Sequence, residues 1–272
     1  MLIQIESILK IIEREETIMG QTFEGKVALV TGASSGIGRS TAQKFATLGA
    51  RVVVADIMVE GGQQTVEMIK SDGGEAVFVA TDVSDTVSVK NLIKQTLETY
   101  GKLDCACNNA GILGSIAPTH EYDEMLFDKI FAINQRGVFL CMKNEIPVML
   151  QQGKGAIVNT SSAAGLVAVP AMIGYTASKH AVAGMTKVAA AEYSAAGIRI
   201  NAVNPGGVET PMIANLKMPE GVPDPSEGPN PAPIGRNAQP EEIANTIVWL
   251  CSDEASYISG HNLAVDGGLT VV

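Results

Sequence analysis

No stretch of this 272-residue sequence reaches the roughly 20 uninterrupted apolar residues that a bilayer-spanning helix needs, so no membrane partner is expected. Long basic runs are also missing, and the formal net charge is -10. Nucleic-acid surfaces depend on neutralising phosphates, so that class of partner is excluded too. The four cysteines, Cys105, Cys107, Cys141 and Cys251, show neither the framework of a secreted domain nor the two-plus-two spacing of a zinc site. They read as reduced core thiols of a cytoplasmic protein, and no metal is expected. No repeat and no interior linker divides the chain, whose 46% hydrophobic content can fill the core of one large domain.

The first residues, "MLIQIESILKIIEREETIMGQTFEGK", begin apolar, but Glu6 and Lys10 interrupt them and neither a basic leader nor a small-residue cleavage site follows. A signal peptide is therefore not expected. Ile5, Ile8, Leu9 and Ile12 share one helical face, which suits either a short appended amphipathic helix or a frayed tail. Residues 1–22 are expected to be an extension without a catalytic role, with Met19 an alternative start and the catalytic domain spanning 23–272.

From Lys26 onward, short β-branched runs alternate with longer helical periods. The runs lie at 26–30, 51–56, 75–81, 103–108, 155–160, 198–203 and 262–266. Near-continuous apolar runs of this length suit strands buried on both faces of a parallel sheet. Helical windows fall at 37–48, 59–71, 85–100, 123–152, 174–196 and 240–252. Such alternation predicts an α/β fold, a doubly wound sheet with helices on both faces. One stretch breaks the rhythm: residues 211–238 hold seven of the twelve prolines. Proline removes backbone donors and fixes φ, so an irregular insert is expected there, a lid or a disordered segment, with a short helix possible over 212–218.

"VTGASSGIGRS" follows the first run and opens the first helical window. Gly32, Gly36 and Gly38 would let the chain turn tightly, approach a pyrophosphate and present free N–H groups at a helix start. Twenty residues after Gly36, Asp56 ends the second run. A carboxylate there accepts hydrogen bonds from ribose hydroxyls and repels a 2′-phosphate. Ser35 and Ile57 are neutral, and Arg39 reads as a helix-surface residue, so NAD is expected over NADP.

In "GYTASKH" Tyr175 and Lys179 stand four apart and share a helical face. Together with "TGASSGIG", "TDVSD", "NNAG", "NTSS" and "NPGGVETPM", this stretch makes the chain resemble the short-chain dehydrogenase/reductase family from about Phe23 to the "VDGG" at 265–268. The resemblance implies a single Rossmann-type domain with a seven-stranded parallel sheet, a homotetramer or homodimer, and nicotinamide-dependent interconversion of an alcohol and a ketone. It also implies that Asn134, Ser162, Tyr175 and Lys179 are catalytic, Ser162 being chosen over Ser161 because it precedes Tyr175 by thirteen residues. For the cofactor it implies Gly32, Ser34, Ser35, Gly36, Ile37 and Gly38 in the turn, and Asp56 with Ile57 after the second strand. Asp82 and Val83 would bracket the adenine, while Asn109, Ala110 and Gly111 line the ribose. Val208 and Thr210 would hold the carboxamide and a phosphate, Pro205 and Gly206 would also bind the cofactor, and Tyr175 and Lys179 would meet the nicotinamide end. The catalytic motifs show no departure from the family pattern; the two departures are the N-terminal extension and the proline-rich insert.

A free tyrosine ionises near pH ~10, so a catalytic phenolate needs help. The Lys179 ammonium and an oxidised nicotinamide would each favour it and lower the Tyr175 pKa. Ser162 could donate to the substrate oxygen, and the family implies a water-mediated link from Asn134 to Lys179. Leu113, Ile116, Val167, Val169, Met172 and positions 212–218 are candidates for an apolar pocket suited to a small neutral secondary alcohol or ketone. His120 and His180 have no assigned part. Two rivals stand beside this expectation: an NADPH-dependent 3-oxoacyl thioester reductase, and a nucleotide-sensing scaffold without turnover.

Overall fold

A computed structural model describes residues 23–214 and 232–272. The expectations for 1–22 and for most of the proline-rich insert therefore lie outside the described residues. The strands are β1 (Val27–Thr31), β2 (Arg51–Asp56), β3 (Glu75–Ala80), β4 (Cys105–Asn108), β5 (Gly155–Thr160), β6 (Ile198–Pro205) and β7 (Asn262–Val265). They form one seven-stranded sheet in the order β3-β2-β1-β4-β5-β6-β7, and every pair is parallel.

Eight α-helices surround the sheet among the described residues: α1 (Gly36–Thr47), α2 (Val59–Ser71), α3 (Thr86–Tyr100), α4 (Glu124–Ile130), α5 (Gly137–Gln152), α6 (Ile173–Tyr193), α7 (Pro211–Ala214) and α8 (Pro240–Cys251). None of the described helices is long and apolar enough to cross a membrane. Burial on both faces explains why the strands read as continuous apolar runs. Ala28 and Val30 of β1 pack with Phe45 of α1 and Ile247 of α8, while Val27 and Leu29 pack with Leu92 of α3 and Met142 of α5. Successive residues of one strand thus serve two cores on opposite sides of the sheet.

Most bounds fall within a residue or two of the sequence expectation, and two of the differences have a clear local reason. Leu103 was expected to open a strand, but its N–H and C=O are bracketed by the Gln152 side-chain amide at 3.0 and 2.8 Å, which takes the place of a neighbouring strand. The window 123–152 is helical from Glu124, with Asp123 as its cap, but not uniformly α: residues Phe131–Arg136 form a π-helical turn between α4 and α5. An inserted residue of this kind rotates the following side chains about the axis. Here it carries Asn134 fully into the interior. Of the short helix expected over 212–218, α7 covers the described portion.

The glycine turn after β1 packs backbone against backbone. A Cβ on Gly38 would lie 2.1 Å from the Gly32 carbonyl oxygen and 2.7 Å from Asn109 Nδ2. Backbone cannot give way as a flexible side-chain end can, so α1 approaches β1 this closely only with glycine at position 38. Gly38→Ala is expected to lower stability by at least ~2 kcal/mol, toward the upper range for overpacked sites. Thermal unfolding followed by circular dichroism checks this, and an unchanged melting temperature would rule the close contact out.

Candidate active site

The order of the strands places β1 between β2 and β4, so the connections leaving β1 and β4 run to opposite sides and leave a crevice at their C-terminal ends. A cavity of about 510 Å³ occupies that place. One end is built by the turn between β1 and α1. Gly32 (φ +65°) and Gly36 (φ +52°) take left-handed conformations that side chains disfavour, and a Cβ on Gly32 would stand 2.7 Å from Ala110 Cα. Ser35 gives α1 no side-chain cap, and its first turn holds no acidic residue. The leading N–H groups and the positive end of the helix dipole are therefore available to an anion.

Asp56 closes the same end. Its carboxylate accepts the Ser34 and Met58 N–H groups, both at 2.9 Å, which fixes its orientation at the cavity wall. Arg39 is not the surface residue that its sequence position suggests. Half-buried, it donates to the Ser34 and Gly61 carbonyls, to Thr65 Oγ1 at 3.0 Å and to Gln64 Oε1 at 2.9 Å, tying the glycine turn to α2. These bonds direct the Arg39 Nε and Nη2 groups to the turn and α2, and Arg39 forms no ion pair with Asp56 among the described residues.

At the other end, β5 and α6 bring the proposed acid/base group together. Ser162 follows β5 and is a side-chain hydrogen-bond partner of Tyr175. Lys179, one helical turn along α6, lies 5.6 Å from the Tyr175 ring centroid and donates to the Thr160 carbonyl at 2.8 Å. Burial pushes the Tyr175 phenol above its ordinary value of 10.0, and the Ser162 hydrogen bond pulls it back. Burial also lowers Lys179 to about 8. In the protein alone, without the nicotinamide charge that the expectation also invokes, burial is the largest influence on both groups and disfavours both charges.

Asn134 makes its direct contacts elsewhere. Its Oδ1 accepts the Ile112 N–H, and its Nδ2 donates to the Ile112 carbonyl and Ser178 Oγ. It therefore holds the chain after β4 against α6, while the Lys179 ammonium donates to the Thr160 carbonyl. The cavity wall gathers Ser162, Tyr175 and Lys179 with the expected cofactor positions Gly32, Ser34, Ser35, Gly36, Ile37, Asp56, Ile57, Asn109, Ala110, Gly111, Pro205, Gly206, Val208 and Thr210. Three do not line it. Gly38 packs against backbone, Asp82 accepts the Ser84 N–H and hydroxyl, and Val83 lies in a small core with Val89, Leu140 and Cys141.

Of the expected apolar pocket, Leu113, Val169, Met172 and Met212 line the cavity, whereas Ile116 and Val167 do not. Leu269 was missed. It arrives from the C-terminus because Asp266 holds the intervening turn, accepting from Gly268 N, Thr270 N and Thr270 Oγ1. The "VDGG" stretch was the available signal. The glycine cradle, uncapped helix start and oriented carboxylate at one end, with a tyrosine and lysine at the other, fit a dinucleotide that would reach from Asp56 to Tyr175.

The family described as enoyl-(acyl carrier protein) reductase matches residues 32–270. The chain is 43% identical over 255 residues to a cyclohexanol dehydrogenase from Acinetobacter sp., covering 94% of this chain and 99% of that protein. It is 44% identical over 254 residues to a 2,5-dichloro-2,5-cyclohexadiene-1,4-diol dehydrogenase from Sphingobium indicum, covering 91% and 98%. A crystal structure of 3-ketoacyl-(acyl-carrier-protein) reductase from Brucella melitensis complexed with NADH superposes with a TM-score of 0.84 at 34% identity, covering 91% of this chain and 99% of that one.

Removing the Arg39 clamp should loosen the turn without touching the Tyr175 end. Arg39→Met is expected to weaken cofactor binding about tenfold, the loss of one to two net hydrogen bonds to a charged group, with the saturated rate nearly unchanged. Titration of reduced-cofactor fluorescence and steady-state rates check it; unaltered affinity would show that the turn holds its shape alone.

Proposed function

The chain belongs to the short-chain dehydrogenase/reductase family, and on that premise we propose that it interconverts a ring-borne secondary alcohol and its ketone with NAD, using Tyr175 as the acid/base group. The observation that carries this is one cavity holding Asp56 and the glycine turn at one end and Ser162, Tyr175 and Lys179 at the other. A bound nicotinamide supplies the hydride acceptor or donor.

The protein's own part is to hold the substrate oxygen and move one proton. In oxidation Ser162 Oγ donates to the substrate oxygen, and the Tyr175 phenolate takes the hydroxyl proton as hydride leaves the same carbon; in reduction the proton returns from Tyr175. Lys179 and Tyr175 share a site where burial opposes either charge alone, so they titrate as a pair. An oxidised nicotinamide bound beside them would add a positive charge that favours the Tyr175 phenolate. Asn134 supports the pair indirectly by fixing Ile112 and Ser178 on the two sides of the cavity.

Asp56 supports NAD over NADP: a 2′-phosphate would meet a carboxylate fixed in place by the Ser34 and Met58 N–H groups. For the substrate, Leu113, Val169, Met172, Met212, Ile213 and Leu269 offer an apolar enclosure, which suits the ring alcohols in the two relatives' names. Four buried free thiols suit a reducing cytoplasm. Exposed Phe139 and Leu150 on α5, with Met125 on α4, support a homo-oligomer formed through these helices.

A panel of cyclic and linear secondary alcohols, followed by cofactor absorbance with NAD and NADP at equal concentration, tests the whole reading. Turnover of a cyclic alcohol with NAD is expected, and a clear NADP preference would sink the cofactor assignment. Tyr175→Phe should cost at least ~10²-fold in turnover, the lower range for a lost general acid/base, while leaving NAD affinity within about twofold. An unaltered rate would refute the mechanism. The acid/base pair also sets a pH course. Oxidation needs the deprotonated form, so its rate should rise through about pH 8, where burial places Lys179, and ketone reduction should fall over the same interval. Initial rates in both directions from pH 6 to ~10 check the sign.

A further inference from the structure

Beneath the cavity lies a polar cluster that the proposed reaction does not use. Glu145, in the middle of α5, is fully buried, as are Asn108 of β4, Asn159 of β5 and Thr186 of α6. Asn108 Nδ2 donates to Glu145 Oε2 and to Asn159 Oδ1, both at 3.0 Å. Asn159 Nδ2 donates to Thr186 Oγ1 at 2.9 Å, and Thr186 donates to the Val182 carbonyl. One hydrogen-bonded chain thus joins four separate elements.

Its ends touch the reaction site through the neighbouring residues. Asn108 is followed by Asn109, Ala110 and Gly111 on the cavity wall. Asn159 is followed by Thr160, whose carbonyl carries the Lys179 ammonium, and Thr186 lies two turns beyond Lys179 on α6. Glu145 Oε1 and Asn108 Oδ1 have no hydrogen-bond partner among the described residues. An incompletely satisfied buried carboxyl costs stability, and an apolar side chain of similar volume would fill the space at less cost. Packing alone therefore does not account for it.

We propose that Glu145 is a positioning residue: through Asn108 and Asn159 its carboxylate holds the C-terminal ends of β4 and β5, and with them the cofactor-lining residues 109–111 and the Thr160 carbonyl that seats Lys179. This rests on the dinucleotide-binding reading of the cavity. The ionised carboxylate accepts from Asn108 more strongly than its protonated form, so the hold should be switched by pH. Burial raises the Glu145 pKa from 4.5 to about 7, opposed only by the Asn108 amide. The thiols that face it, Cys107 on β4 and Cys141 on its own helix, are both pushed up and stay neutral. Charged side chains on the packed helices point away: Arg136 and Lys143, Lys90, Lys94 and Glu98 of α3, and Lys187 and Glu192 of α6 are exposed. Lys179 is directed to Thr160.

Two measurements on Glu145→Gln and Glu145→Met test this. The first is the NADH dissociation constant from pH 5.5 to ~8.5, read by fluorescence without turnover. Wild type should tighten about tenfold as Glu145 ionises, the change that one charge-assisted hydrogen bond allows. Both variants should hold the weak low-pH value throughout. The second is the melting temperature. A carboxyl raised in the fold contributes stability that is present below pH 4.5 and is lost as pH rises through about 7. The melting advantage of Glu145→Gln over wild type should therefore widen across that interval.

A variant with the wild-type pH course in NADH affinity would overturn the proposal, and so would a melting difference of equal size at every pH. An enzyme that binds NADH but turns over no alcohol would instead defeat the proposed reaction and leave the role of Glu145 standing. Glu145→Met guards against a misfolded glutamine variant, since it removes the acceptor while keeping an apolar volume in the core.

Discussion

Everything the cavity does depends on β1 having β2 on one side and β4 on the other. Parallel strands need crossovers, and crossovers that leave in opposite directions cannot close the space between them. That space opens at the C-terminal ends of the strands, where β1 delivers the glycine turn, β2 delivers Asp56, β4 delivers residues 109–111 and β5 delivers Ser162. No single element contains a site. The sheet makes one by aligning these strand ends with that of β6, which brings Pro205 and Gly206, and the two cores hold that alignment from both faces.

Burial then sets the chemistry. The low-dielectric floor that makes the sheet stable raises the Tyr175 phenol, lowers Lys179 and raises Glu145. Each charge carried there is a local loss of stability. The protein offsets part of it with fixed dipoles: the Thr160 carbonyl on Lys179, the Ser162 hydroxyl on Tyr175 and the Asn108 amide on Glu145. These partners sit on strand ends or just beyond them, so the sheet that creates the desolvation also supplies its partial remedy. An oxidised nicotinamide would add a positive charge at the Tyr175 end, which is the direction of help the phenolate still needs.

The sheet and most helix bounds were legible because they follow local rules. Continuous apolar runs marked strands covered on both faces, and 51–56, 59–71 and 155–160 match the structure residue for residue. The site was legible where spacing along one element carries meaning, as with Tyr175 and Lys179 one turn apart. What escaped is long-range. Arg39 reads as a helix-surface residue until α2 is folded against it, since its partner Thr65 stands 26 positions away. Asn108 and Glu145 are separated by 37 positions, and no period in either segment announces their contact. The π turn at Asn134 is local but silent, because one inserted helical residue leaves the apolar period nearly unchanged.

Asn134 and Arg39 show why such contacts matter for a binding site. Neither needs to touch a reacting atom to decide where reacting atoms sit. Asn134 satisfies both backbone groups of Ile112 and then Ser178, so the loop after β4 and the helix carrying Tyr175 cannot move apart without exposing buried donors and acceptors. Arg39 does the same for the turn after β1 and α2. Leu113, Met172 and Met212, by contrast, offer the cavity apolar side chains. Apolar contacts are non-directional and tolerate changes of shape, whereas buried hydrogen bonds do not. A fold built this way would keep the proposed cofactor path and proton carrier fixed while an apolar wall varies, which suits relatives named for different ring alcohols.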